Sequence, residues 1–379
     1  MPEPPDEPSP VPPDASAAGL PHLPPPAVED SSPDEAAPPA PDLSPRPFRF
    51  TGSGGEYFRI WIVNLLLSVA TLGIYSAWAK VRRLRYFYGH TSVDGSAFGY
   101  HAAPRAILKG RIVAFAVVVT LAVVSELAPL AASVLYLPLL MVLPIVLVRS
   151  LRFRAFNSSF RGVRFGFSGT EQHAYQVFVF LPLLVPLTLG LAYPFMVARQ
   201  REFVAGESRH GDSRFALQLP VARVYGIYAF AGLLFVLLSF LVGAVVFGAG
   251  FEGDLADLPP ARQGLGMVVL YAGAGVILVA LRTAFENLVW NHTRLDEHTF
   301  ESRLRARDML WLYASNAIAI ALTFGAFVPW ARVRLARYRA SALTLLPRGP
   351  LVSFSSAAAD EVTATASELS DALDLDFGL

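Results

Sequence analysis

Thr71 with Gly73, Thr188 with Gly190, and Thr323 with Gly325 are the residues whose types and spacing suit chemistry. They sit in stretches that align without a gap: TLGIYSAWAKVR at 71–82, TLGLAYPFMVAR at 188–199 and TFGAFVPWARVR at 323–334. Threonine brings a hydroxyl, and glycine accepts backbone conformations that other residues resist. Pro194 and Pro329 lack a helix donor and crowd the preceding turn, so a break is expected near each. Asn64 and Asn316 lie seven residues before Thr71 and Thr323, about two helical turns away. Neutral hydrogen-bonding groups beside unwound backbone at membrane depth are the chemistry of a small-solute or ion pathway. The same residues suit packing and anchoring better, because intramembrane Thr and Asn satisfy neighbouring backbone or bond across helices, worth about 0.6 kcal/mol each.

Beyond each break the chain turns cationic. Trp78, Lys80 and Arg82, then Arg199, then Trp330, Arg332 and Arg334, read as interfacial anchors, with aromatics at headgroup level and snorkelling cations beyond. Membrane lipids are the partner this implies. The middle stretch departs from the pattern, with Phe195 in place of the tryptophan and Leu181 in place of the asparagine. Other chemistry has no support. The chain has no cysteine, which removes thiolate catalysis and cysteine-ligated metals. His292 and His298 lie six apart, which is not a metal-ligand spacing, so no metal or cofactor is expected. GxSxG, GxxxxGK[ST] and HExxH do not occur, and an enzyme is not expected. Cations spread along membrane-proximal loops argue against a nucleic-acid partner.

The elements that must position these residues belong to a membrane protein. Of 379 residues, 54% are apolar and only 16% charged, with mean hydropathy +0.45; soluble domains carry about 25% charge. The start lacks a cleaved-signal pattern, so the first membrane segment is expected to act as the targeting signal. Net charge is +1 but strongly segregated. Residues 1–45 hold nine acids and many prolines without Lys or Arg, and 349–379 hold six acids, again without Lys or Arg. Both are expected to be disordered tails able to recruit protein partners, flanking a membrane domain at 46–348. Oligomeric state is left open.

Seven apolar segments stand out, at 57–79, 112–128, 130–148, 174–198, 223–250, 264–281 and 309–331. Short polar stretches lie between them. TSVDGSAF (91–98) matches TRLDEHTF (293–300), and FRFTGSGGE (48–56) matches RFGFSGTE (164–171), which reads as small hairpins outside lipid. The order repeats, giving units at 48–160 and 161–300 and a half unit at 301–345. Lys and Arg stay on the cytoplasmic side in short loops. If the three threonine–glycine segments dip and return while two helix pairs span, every cation but Arg262 lies inside. Seven full spans would scatter the cations, so four spans plus three re-entrant or kinked elements is the preferred layout. Each re-entrant arm would be roughly ten residues, or about 15 Å. The fold expected is an all-α polytopic membrane protein of internally repeated helical hairpins, with Gly/Pro-broken segments and small cytoplasmic β-hairpin-like elements.

FxFxG, an apolar run with Asn, TLGIYxxWAxxR and TxxDGxxF together resemble the YjgN family of bacterial inner-membrane proteins. NLLLSVATLGIYSAWAKVRRLRYF and NAIAIALTFGAFVPWARVRLARY carry the resemblance, which covers about residues 48–345. It implies the inner membrane and a multi-pass fold but no reaction, while the cation count puts both tails in the cytoplasm. Two functions stay open: a transporter or channel-like protein for a small solute, and a non-transporting scaffold or envelope-organising protein that recruits partners through its cytoplasmic face and tails.

Overall fold

The computed structural model describes residues 43–248 and 258–349. Apart from residues 43–45 and Gly349, the two tails lie outside the described residues, as does most of the acidic loop at 251–262. Two short strands, β1 (Arg46–Pro47) and β2 (Arg49–Phe50), are separated only by Phe48. Ser53 then starts α1 (Gly54–Ala70), its Oγ accepting the Glu56 amide at 3.2 Å as an N-cap. A turn at Thr71 leads into α2 (Ser76–His90). Strands β3 (Thr91–Val93) and β4 (Ser96–Tyr100) meet at Asp94 and Gly95, with φ 50° and 72°, the signs that a two-residue type I′ hairpin requires.

The long pair α3 (Pro104–Leu127) and α4 (Pro129–Phe156) meets at Ala128. Strands β5 (Ser158–Phe160) and β6 (Val163–Phe167) follow, joined by Arg161 and Gly162. Next come α5 (Glu171–Tyr175), a π-helical stretch Gln176–Phe180, α6 (Leu181–Leu187) and α7 (Tyr193–Gly206). After β7 (Ser208–His210) and β8 (Ser213–Leu217) rise α8 (Val221–Phe247) and α9 (Pro260–His292). The described chain closes with β9 (Thr293–Leu295), β10 (His298–Ser302), α10 (Ala306–Leu322), α11 (Val328–Ala342) and β11 (Leu343–Leu346).

The all-α expectation is overturned by the strands, which do not stay as separate hairpins. They join into one antiparallel eleven-stranded sheet in the order β1-β11-β10-β9-β8-β7-β6-β5-β4-β3-β2. Arg46 and Pro47 pair with β11 on one side, Arg49 and Phe50 pair with β3 on the other, and the Phe48 amide donates to Leu343 O at 3.0 Å. The continuous stretch 46–50 therefore borders both ends of the sheet and nearly closes it into a barrel. Closure answers a physical need, since strands this short expose unpaired backbone at any free edge.

Antiparallel pairing fixes where the helices leave. The tight turns join β3 to β4, β5 to β6, β7 to β8 and β9 to β10, so all four lie at one rim. The pairs β2–β3, β4–β5, β6–β7, β8–β9 and β10–β11 are each connected through a helical hairpin, so all five hairpins rise from the opposite rim and return to it. They pack side by side, α2 on α3, α4 on α5, α7 on α8 and α9 on α10, and α11 comes back against α1. Among the described residues, four helices are long and apolar enough to cross a membrane: α3, α4, α8 and α9. The hairpins built on α1–α2, α6–α7 and α10–α11 end in the threonine–glycine turns.

Candidate functional site

All three threonine–glycine turns have one geometry. Leu72, Leu189 and Phe324 take φ of 49°, 51° and 48°, and Gly73, Gly190 and Gly325 take 91°, 89° and 91°. The glycine amides donate to Ser68 O, Val185 O and Ile320 O at 2.7–2.8 Å, a bond five residues back that closes the C-terminal end of the outgoing helix. Each threonine then serves two helices. Thr71 Oγ1 donates to Leu67 O at 2.7 Å and accepts the Tyr75 amide at 2.9 Å. Thr188 bridges Leu184 O and the Ala192 amide, and Thr323 bridges Ala319 O and the Phe327 amide, at 2.7–3.0 Å. These hydroxyls tie one helix end to the next helix start. The residues at the tips face outward, with Leu72 96%, Leu189 94% and Phe324 101% exposed.

Pro194 and Pro329 sit in the first turn of α7 and α11, where a missing amide costs nothing, so they start the returning helices and do not kink them. Asn64 and Asn316 are buried on α1 and α10. Asn316 is bonded, its Oδ1 accepting Arg334 Nη1 at 2.7 Å and its Nδ2 donating to Ala331 O at 3.4 Å, whereas Asn64 Oδ1 has no partner. Trp78 stacks on Tyr75 with centroids 6.0 Å apart. Trp330 packs on Phe58 at 5.0 Å and lies so close to Gly54 that a Cβ there would stand 2.1 Å from its ring, which locks the last hairpin to the first. Lys80 is buried, whereas Arg82, Arg199 and Arg332 are exposed. Arg199 pairs with Glu202 at 2.6 Å, and Arg332 donates to Tyr57 Oη at 3.2 Å. The three threonine turns thus stand on separate hairpins, and the anchors flank them.

A second constellation fills the barrel. Phe48, Phe98, Phe165, Phe215 and Phe300 come from alternate strands, with successive centroids 6.2, 6.4, 6.4 and 6.5 Å apart and planes inclined by 12°, 17°, 29° and 19°. Phe300 and Phe48 share one buried cluster with Leu345, which completes the set. Each ring is thus inclined by less than 30° to the next. The intervening strands contribute Val93, Phe160, His210, Leu295 and Leu345. A cavity of about 200 Å³ runs among them and up to Leu151, Arg154, Val204 and Trp290 at the helix rim. None of the threonine–glycine or asparagine residues borders it. Its walls are mostly apolar, with Arg154, Ser158, Ser208, His210 and Thr293 among the lining residues.

The pattern was present in the sequence but not assembled from it. An inward residue precedes the phenylalanine by five positions at 93/98, 160/165, 210/215 and 295/300. Two residues earlier, Thr91, Ser158, Ser208 and Thr293 donate their hydroxyls to Phe87 O, Arg154 O, Val204 O and Val289 O at 2.7–2.9 Å, tying off each preceding helix. Electrostatics in the barrel are spare. His210 is fully enclosed, and burial, opposed by backbone hydrogen bonds, pushes its pKa down, so the ring is neutral at pH 7. At the helix rim the Ser53 hydroxyl, then that of Tyr86, hold exposed Glu56 below the usual carboxylate range.

The model of a family described as bacterial protein of unknown function (DUF898) matches residues 45–372. The chain is similar to proteins named inner membrane protein YjgN. It is 26% identical to that of Salmonella typhimurium over 77% of this chain and 86% of the relative. To that of Escherichia coli O157:H7 it is 31% identical over 55% of this chain and 52% of the relative, and to that of Escherichia coli K12 it is 35% identical over 40% and 38%. No solved structure matches.

Proposed function

This chain belongs to the DUF898 family, that of the inner membrane proteins YjgN, and on that premise we propose that it is a non-transporting scaffold whose barrel is held at the cytoplasmic face. One observation carries the reading: all five helical hairpins leave and re-enter one rim of the sheet. Every Lys and Arg except Arg262 then lies on the barrel side of the spans, the side that cations prefer in short loops. Both tails would lie there too, able to recruit partners. The layout is read as two and a half copies of one module, with the threonine–glycine hairpins as the shorter half. A transporter for a small solute draws less support, because the threonine hydroxyls are spent on their own backbone and the barrel cavity offers a polar solute little.

Since the chain has no cysteine, single introduced thiols report topology cleanly. In spheroplasts, Ala128→Cys, between α3 and α4, is expected to react with an impermeant maleimide. Asp212→Cys, in the β7–β8 turn, is expected to react only after permeabilisation. The opposite pattern removes the cytoplasmic barrel. Protein reconstituted in vesicles is expected to release neither potassium nor glycerol; a flux that Thr71→Val abolishes would establish a conduit in place of the scaffold.

A further inference from the structure

We propose that this protein is a membrane wedge: it expands the leaflet nearest its barrel and so curves the bilayer toward the barrel side. The inference rests on the scaffold reading above and gives it a physical action on lipid. Its basis is a difference in depth among hairpins that start from one rim.

Cations mark where each hairpin leaves the hydrocarbon. The first cation after Gly73 is Lys80, after Gly190 Arg199 and after Gly325 Arg332, which lie seven, nine and seven residues on, about 10–14 Å of helix. In the long hairpins, 21 residues separate Ala128 from Arg149 and 22 separate Pro260 from Arg282, about 32 Å. A hydrocarbon core is about 30 Å thick. Two hairpins therefore cross it, and three reach its middle and stop.

The tips are built to stop there. Leu72, Leu189 and Phe324 are exposed beside other exposed apolar residues, Ile74, Leu187, Leu191 and Leu322. Each turn satisfies its backbone internally through the threonine and glycine bonds, which hydrocarbon demands. No charged residue lies between Arg59 and Lys80, or between Arg307–Asp308 and Arg332. The occupant around these tips is the acyl region of the near leaflet. Around the barrel the order is short, long, short, long, short, with the two terminal short hairpins adjacent through α1 and α11. The near leaflet thus holds five hairpins and the far leaflet two. At a helix diameter of about 10 Å, the three short hairpins add on the order of 500 Å² to one leaflet alone. The nearly closed barrel below them, to which both ends of every hairpin are tied, keeps the hairpins from folding flat.

The test uses the full chain in phosphatidylcholine–phosphatidylglycerol vesicles of mixed size. Orientation is read by labelling Asp212→Cys from outside, and vesicles are sorted by diameter. Barrel-outward protein is expected to rise severalfold in proportion from the largest to the smallest vesicles. An accessible fraction independent of diameter overturns the wedge. In a second arm, rising wild-type protein is expected to shrink barrel-outward vesicles, and the combined Leu72→Ala, Leu189→Ala, Phe324→Ala variant is expected to do the same. The corresponding triple glutamate variant, whose tips cannot enter hydrocarbon, is expected to lose the effect; full activity in it would also overturn the proposal. The sorting arm alters no residue of the hairpins, since Asp212 is an exposed residue of the β7–β8 turn. Leu189→Cys separates the two ideas: reaction from the side opposite the barrel breaks the re-entrant reading, whereas a tip shielded from both sides with no sorting by diameter breaks the wedge alone.

Discussion

Gly325 sits at φ 91° with open space where a Cβ would stand, so a substitution there meets backbone strain and nothing else. Gly325→Ala is expected to cost about 1–2 kcal/mol, read as a lowered midpoint in detergent unfolding, with Gly73→Ala and Gly190→Ala behaving alike. His210 gives a second residue-scale expectation. Its folded pKa lies below that of the unfolded chain, so the unfolded state binds the proton more readily. Stability should be full at neutral pH and should decline as pH falls below about 6.5, the ordinary histidine value. His210→Phe, which copies Phe160 on the neighbouring repeat of the pattern, is expected to flatten that decline. Stability measured between pH 5 and pH 8 checks it.

Among the elements, the phenylalanine set holds the sheet to its curvature. Every strand is five residues or fewer, so little ladder hydrogen bonding is available per strand, and the barrel must be filled from within. Phe165 touches Phe98, Phe215 and His210 at centroid distances of 6.4, 6.4 and 4.7 Å. Phe165→Ala is expected to destabilise by about 3 kcal/mol, at the lower end for phenylalanine because a cavity already adjoins it, and Phe165→Leu by clearly less. Unfolding midpoints of the two variants decide this. The helical hairpins follow a separate logic. In α1, α6 and α10 the outgoing helix ends at a threonine whose hydroxyl starts the returning helix, so the bend is written into five consecutive residues. That bend was legible in the sequence. Pro194 and Pro329 stand in the first helical turn just after two of the breaks, where they start the returning helix.

For the molecule as a whole, the maleimide pattern at Ala128→Cys and Asp212→Cys tests one geometric fact. A sheet that pairs the strands on either side of each helical hairpin leaves no freedom for a hairpin to end on the far side. Composition determined, without coordinates, that the chain belongs in a membrane, and the segregation of Lys and Arg made seven equal spans the poorer expectation, because charge is costly in hydrocarbon. Local turn chemistry likewise marked Asp94–Gly95 and the three threonine–glycine tips. Only tertiary structure decided that the polar stretches form one barrel. Strands β4 and β5 are divided by α3 and α4, and β8 and β9 by α8 and α9, so their pairing is settled by burying Phe98 beside Phe160 and Phe215 beside Leu295 on neighbouring strands. Two- to five-residue segments carry too little periodicity to announce such partners, and the energy that selects them comes from contacts that do not exist until the barrel closes.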